Sequence, residues 1–152
     1  MNRVVFLVDG FNVYHSLEEI LRHQAGHSHK GSIKWLDLKS LAQSYLSAIS
    51  KDASLDKVYY FSALAKHLEA FKPDVTARHR LYVKCLKDSG VEVELNRFKR
   101  KTILCPYCKK AFSRHEEKES DVSIAVKMME LCFLDLCDTM VLVTGDTDLH
   151  QP

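Results

Sequence analysis

A chain of 152 residues, 46% hydrophobic and 28% charged, has room for one domain with a sizeable core, and 5 Gly and 3 Pro exclude collagen-like and linker-rich classes. No apolar run approaches the ~20 residues of a membrane span. The net charge of +2 names no partner, but Lys66 to Lys118 carries 14 Lys and Arg against 7 Asp and Glu, a net +7, while the remainder carries 8 against 13, a net −5. A basic middle with acidic flanks suits a protein that holds a polyanion with one part and a cation with another, although scattered solvated charges would give the same count.

The elements run β-α-α-β-α-β-(loop)-α-β. Arg3 to Val8 is a continuous apolar run of strand length, as expected of a strand buried on both faces. It ends on Asp9 without a small-residue cleavage site, so no signal peptide is expected, and five cysteines, an odd number, point to a reducing cytoplasm. Tyr14 to His23 reads as a helix with Leu17, Ile20 and Leu21 on one stripe. His23 to Ser32 reads as a loop, whose His23, His27 and His29 are expected to be solvated rather than metal-bound. Trp35 to Ile49 has helical spacing, and Lys57 to Ala63 is a second strand, with Trp35, Tyr59 and Tyr60 expected in the core.

Pro73 opens a helix that runs to Ser89, where Gly90 supplies the stop. Val91 to Phe98 alternates as a half-exposed strand at a sheet edge. Lys99 to Glu117 is a basic insertion with a Cys pair. Lys118 to Leu136 is a helix expected to face Val122, Ala125, Met128, Met129 and Cys132 inward, and Asp138 to Thr144 is another buried strand. Cys85, Cys132 and Cys137 are expected to be buried. Strands alternating with helices imply an α/β domain of three layers spanning residues 1–152, a mainly parallel sheet flanked by helices. Its working site should lie at the carboxyl ends of the strands, where strand order reverses.

Both continuous apolar strands end in carboxylates: Val8-Asp9-Gly10-Phe11-Asn12 and Val143-Thr144-Gly145-Asp146-Thr147-Asp148. If these strands are neighbours, Asp9, Asp146 and Asp148 converge, and Asp121, in the first turn of the preceding helix, is expected to point at the sheet. Asn12 adds a neutral oxygen or donor. Carboxylates crowd together only when a cation neutralises them or some take up protons, and oxygen ligands favour Mg²⁺ or Mn²⁺ over Zn²⁺. Such an ion activates water and clamps a phosphodiester. Any single Asp among the four reads better as a turn former or helix cap, and it is the four placements together that favour a cation site. Gly-x-Gly and Gly-Lys-Ser/Thr are absent, which excludes a dinucleotide fingerprint and a P-loop, and Phe11 stands where a haloacid-type phosphatase needs its second Asp.

Val-Asp-Gly-Phe-Asn-Val at the first strand, Lys118-Glu119-Ser120-Asp121 opening a helix, and Thr-Gly-Asp-Thr-Asp-Leu after the last strand occur in that order. Together they resemble the NYN family of PIN-like, metal-dependent ribonuclease domains. The resemblance implies a PIN-like fold, an Mg²⁺ or Mn²⁺ site carried by Asp9, Asp121, Asp146 and Asp148 with Asn12 nearby, and RNA as substrate; the basic segment with its interleaved aromatics suits single-stranded nucleic acid. In that reading Lys118 neutralises charge near the scissile group. The resemblance also implies a further helix and strand after the acidic turn. Their absence from the chain leads to the expectation that the last strand lacks its outer neighbour, which a homodimer or partner chain would supply.

Cys105-Pro106-Tyr107-Cys108 has the spacing of half a zinc knuckle, with His115 as a possible third ligand and Cys85 or His79 as the fourth. Two ordinary cysteines in a hairpin is the competing reading. A knuckle would arrange Lys99, Arg100, Lys101, Lys109, Lys110 and Arg114 around Phe98, Tyr107 and Phe112, a surface that binds phosphates and stacks bases. Two functions follow: a ribonuclease, or a non-catalytic RNA-binding or assembly module built on the basic segment.

Overall fold

The computed structural model describes residues 1–23 and 35–145, with the side chains of Arg114, Glu116, Glu117 and Lys118 outside that description. The elements are β1 (Asn2–Asp9), α1 (Gly10–His23), α2 (Leu38–Ile49), β2 (Ala53–Ala63), a 3₁₀ turn (Lys66–Leu68), α3 (Pro73–Asp88), β3 (Glu92–Leu104), β4 (Ala111–Lys118), α4 (Ser120–Phe133) and β5 (Thr139–Val143). They build one five-stranded sheet in the order β4-β3-β2-β1-β5. β1 pairs in parallel with both β2 and β5, and β2 pairs in parallel with β3. The antiparallel pair is β3 with β4. The fold is therefore α/β with a mostly parallel sheet, as the alternating elements predict.

Period-two alternation sorts β1 and β2 into two cores. Val4, Phe6 and Val8 face one side with Val58 and Tyr60, against Leu38 and Ala42 of α2 and Val83 and Leu86 of α3. Val5 and Leu7 face the other side with Tyr59 and Phe61, against Ile124 and Leu131 of α4. The three layers follow directly: α2 and α3 on one face, α4 on the other. Arg3 clamps the start of β1 to the start of β5, its Nε and Nη2 donating to the two carboxylate oxygens of Asp138 at 3.1 and 3.0 Å. That clamp holds the Asp138 carboxyl down to about 2, through the Arg3 side-chain bonds first and its backbone N–H second.

Helix ends obey local chemistry. Asp37 caps α2 by accepting from the N–H groups of Lys39 and Ser40 at 3.0 and 3.1 Å. Pro73 occupies the first turn of α3. At its end Gly90 takes φ +92°, while Gly90 N–H donates to Lys87 O and Val91 N–H to Leu86 O. This left-handed turn satisfies the last carbonyls and suits glycine.

Several expectations need correction. The basic segment is not a loop insertion: β3 runs on to Leu104 and returns as β4, so the Cys pair sits at the tip of a long hairpin. Glu92 to Asn96 pair with β2 and Arg97 to Leu104 with β4, so β3 changes partner midway, and Glu92 to Asn96 have one described neighbour strand, as expected of an edge. α4 starts at Ser120, leaving Lys118 at the end of β4. Its buried residues are Ser120, Ile124 and Leu131, with Met128 packed beside them. Val122, Ala125, Met129 and Cys132 are exposed instead. The helix is apolar around most of its circumference, so composition alone does not show which stripe faces the sheet. Trp35 precedes α2 and is 47% exposed, unlike the buried Tyr59 and Tyr60. Cys85 and Cys132 are exposed and Cys137 is half-buried. Ile20 is exposed on α1. His27 and His29 lie outside the described residues, and His23 is exposed as expected.

Candidate functional site

The first and last strands are neighbours. Val8 pairs with Val143, so Asp9 stands beside Thr144 where the strand order reverses. Asp9 is only 2% exposed. One carboxylate oxygen accepts from the N–H groups of Phe11 and Asn12, both at 3.1 Å, which makes Asp9 the N-cap of α1. The other accepts from Asn12 Nδ2 at 2.5 Å and from Thr144 Oγ1 at 3.3 Å. Asn12 Nδ2 also lies 3.3 Å from Thr144 Oγ1. The amide and the hydroxyl therefore tie the Asp9 turn to the end of β5.

Gly10 is required by a close approach. A Cβ there would lie 2.3 Å from the Tyr60 ring. Removing that side chain lets α1 begin immediately at the end of β1, which aims its first N–H groups at Asp9.

Asp121 opens α4 but is exposed, a correction to the expectation that it points at the sheet. Its neighbour Ser120 is buried and accepts from Asn96 Nδ2 at 3.2 Å, while Ser123 Oγ donates to Asn96 Oδ1 at 3.4 Å. Asn96 pairs with Ala63 at the carboxyl end of β2. The start of α4 is thus pinned to the same sheet edge that carries Asp9, and Asn96 is a positioning residue that sequence reasoning missed. Asp146 and Asp148 lie outside the described residues.

The hairpin separates residues that the sequence groups together. Arg97, Lys99 and Lys101 alternate with Phe98 and Arg100, so those three cations occupy one face while Arg100 shares the other with Phe98. Lys99 pairs with Glu119, as does Arg97 at 3.7 Å. Arg100 Nε donates to Ser113 Oγ at 2.9 Å. Lys109 and Lys110 are exposed at the tip beside Tyr107, which is 94% exposed, and Phe112 is exposed on β4. Arg114 sits opposite Lys101 in register, and Lys118 opposite Arg97.

At the tip, Cys105 N–H donates to Lys110 O at 2.9 Å and Lys109 N–H to Cys105 O at 3.0 Å, with Lys109 at φ 57°. The Cys105 thiol is pulled below its ordinary value, first by the backbone N–H of Cys108 and then by that of Tyr107. Two thiols in such a turn suit half of a zinc site, but a closed site takes four ligands. His115 is not the third: it sits opposite Arg100, four residues down β4 from Ala111 and about 13 Å along the strand, where its ring stacks on His67. His79 faces Ser62 and Cys85 lies on α3, so neither approaches the tip. Among the described residues no three His, Cys, Asp or Glu side chains converge as metal ligands.

A feature that sequence reasoning did not assemble lies next to Asp9. Gly10 and Phe11 line a cleft of about 450 Å³, whose other walls come from β2, the 3₁₀ turn, α3 and the hairpin. His67 and His79 both lose basicity through burial, His67 also through His115. The available signal was positional: His15, His67 and His79 each follow closely on the carboxyl end of β1 or β2, or on the helix covering it.

Among the described residues no helix is long and apolar enough to cross a membrane. Comparison with curated proteins and with solved structures returned no match. The NYN domain model, by contrast, matches residues 3–152. With the parallel sheet and the Asp9 turn at its switch point, the chain belongs to the NYN domain family, PIN-like domains that are generally ribonucleases.

Proposed function

We propose that this protein is a metal-dependent ribonuclease that hydrolyses RNA phosphodiester bonds at the carboxyl edge of β1 and β5. The observation that carries this reading is Asp9: a carboxylate 2% exposed, at the strand-order reversal, with an amide and a hydroxyl gathered around it. The groups of this turn able to ligate a cation, the Asp9 carboxylate, the Thr144 hydroxyl and the Asn12 amide oxygen, are all oxygen, which suits Mg²⁺ or Mn²⁺. Asp9, Asp121, Asp146 and Asp148 would hold the ion. Bound there, the cation supplies Lewis acidity and offsets the phosphodiester charge.

The chain's own groups do the rest. Asn12 orients the Asp9 carboxylate and presents its Oδ1 to a phosphate or water. Lys118 neutralises charge near the scissile group. Lys101, Lys109, Lys110, Arg100 and Arg114 guide the RNA backbone along the hairpin, with Tyr107 able to stack a base. Lys99 contributes less, because Glu119 already balances it. The cysteine pair enters no step.

One observation favours the non-catalytic reading. An ionised carboxylate offers about four acceptor positions, and those of Asp9 meet Phe11, Asn12 twice and Thr144. In that reading Asp9 is a helix cap and strand tie, and the hairpin binds RNA without cleavage. An assay on single-stranded and structured RNAs in Mn²⁺, Mg²⁺ or EDTA separates the two. Cleavage that EDTA abolishes supports the ribonuclease, and binding without turnover in either metal supports the module.

A further inference from the structure

The cleft beside Asp9 is walled by rings in mutual contact. His115 stacks on His67 at 4.2 Å with 7° between planes, and His67 meets Phe98 edge-on at 4.8 Å. Phe98 meets Phe11 at 6.1 Å, and Phe11 meets His15 at 4.3 Å. This row joins the hairpin to the first turn of α1, directly after the Asp9-Gly10 step. On the far side Trp35 meets Tyr82 at 5.7 Å, and Tyr82 meets Tyr60 at 6.0 Å. Tyr82 is held by donating its hydroxyl to Leu36 O at 2.7 Å.

Among the described lining residues Arg78 is the only Lys, Arg, Asp or Glu. Ser62 Oγ and His79 Nε2 lie 3.5 Å apart at its floor. The buried His67 Nδ1 has no hydrogen-bond partner among the described residues, a cost that a ligand donor or acceptor in the cleft would remove. Arg78 lines the cleft and is exposed, its Nε donating to Asp74 O at 3.2 Å. A volume of about 450 Å³ with apolar rings and a few polar atoms is the profile of a small-molecule site. Neutral imidazoles at pH 7, which burial of His67 and His79 favours, present uncharged faces and one donor and one acceptor each.

We infer that this cleft is a nucleobase-binding subsite, taking one flat base of the RNA strand against the His67–Phe98–Phe11 wall, with Arg78 placed for a phosphate. The inference rests on the ribonuclease reading for its substrate, and goes beyond it by assigning base capture to the cleft beside Asp9, where Phe98 and His115 of the hairpin also stand. Stacking against the wall is tolerant of sequence because every base has a π face, while Ser62, His79 and His67 Nδ1 supply the edge contacts that discriminate. The subsite would hold the strand in register so that a neighbouring phosphate meets Asp9.

Trp35 is the single tryptophan and lines the cleft, so its fluorescence reports occupancy. The full chain would be titrated in EDTA with AMP and UMP, and with ribose 5-phosphate as a base-free control. Saturable quenching by the nucleotides and none by ribose 5-phosphate is expected. Phe98→Ala should weaken nucleotide binding about tenfold and Phe98→Tyr should preserve it. His67→Asn provides a second lesion should Phe98→Ala fail to fold, with the melting temperature as the control. No quenching, or equal quenching by ribose 5-phosphate, would overturn the subsite. The result is independent of turnover: an RNA cleavage assay that fails beside intact quenching sinks the ribonuclease and leaves the base site standing.

Discussion

β1 and β3 belong to one sheet but live in different surroundings. β1 has a parallel neighbour on each side and a core on each face, and every residue from Val4 to Asp9 is buried. β3 leaves β2 after Asn96, continues into a hairpin, and keeps most of its residues exposed. The carboxylate proposed for catalysis stands at the end of the first, and the cations proposed for RNA at the end of the second. A reacting group needs to be held within fractions of an ångström, whereas a polyanion is gripped by many replaceable charges. The chain puts each task where the packing suits it.

Breaking the Asp9 end should have the largest effect. Asp9→Asn is expected to lower RNA cleavage roughly a hundredfold or more, while the melting temperature holds, because Asn caps a helix about as well as Asp and the Asn12 amide can turn its Oδ1 toward the new Nδ2. A parallel loss of activity and stability would instead make Asp9 a structural tie. Next come the two strands themselves. Leu7→Ala, at a fully buried position, should cost about 2–5 kcal/mol in urea unfolding. Leu104→Ala, 65% exposed on the hairpin, should stay within about 0.5 kcal/mol. Similar values would mean that the hairpin is as deeply packed as β1.

Gly10→Ala sharpens the point locally. The new methyl meets the Tyr60 ring and should destabilise by about 1–3 kcal/mol, with partial recovery when Tyr60 is also made smaller. The smallest effect is on pH. Burial holds His67 and His79 below the ordinary histidine value, so the unfolded chain binds more protons in that window. Stability should be complete above about pH 6.5 and fall as pH drops toward the folded-state values. A pH series of melting curves checks this, and replacing His79 by Phe should flatten it.

Much of the fold was legible because parallel strands leave a plain apolar mark, even where, as in β5, the strand proves half-buried at the sheet edge rather than buried. Val4 to Val8 and Met140 to Val143 are apolar runs closed by Asp9 and by Thr144-Gly145, and their adjacency follows from strand order. The hairpin was harder, since Lys99 to Glu117 interrupts alternation with charge runs and a Cys pair that favour a loop. Ile124 and Leu131 were missed as the buried stripe of α4 because Val122, Val126, Met129 and Phe133 compete with them on the exposed side. Asp9 could be picked out as a strand-end carboxylate, but its bonds to Asn12 and Thr144 need the tertiary pairing. The ring-walled cleft was invisible in sequence, since α1, β2, the 3₁₀ turn, α3 and the hairpin each give it only a few residues.

In the proposed function the Asp9 carboxylate belongs to a divalent-cation site as well as capping α1. Titration of the full chain with Mn²⁺, followed by the loss of the free-ion EPR signal, tests this without any substrate. Saturable binding in the wild type that is lost in Asp9→Asn, with both proteins melting at the same temperature, is expected. Equal Mn²⁺ binding by the two proteins, or none by either, would contradict it and leave Asp9 as the cap and strand tie alone.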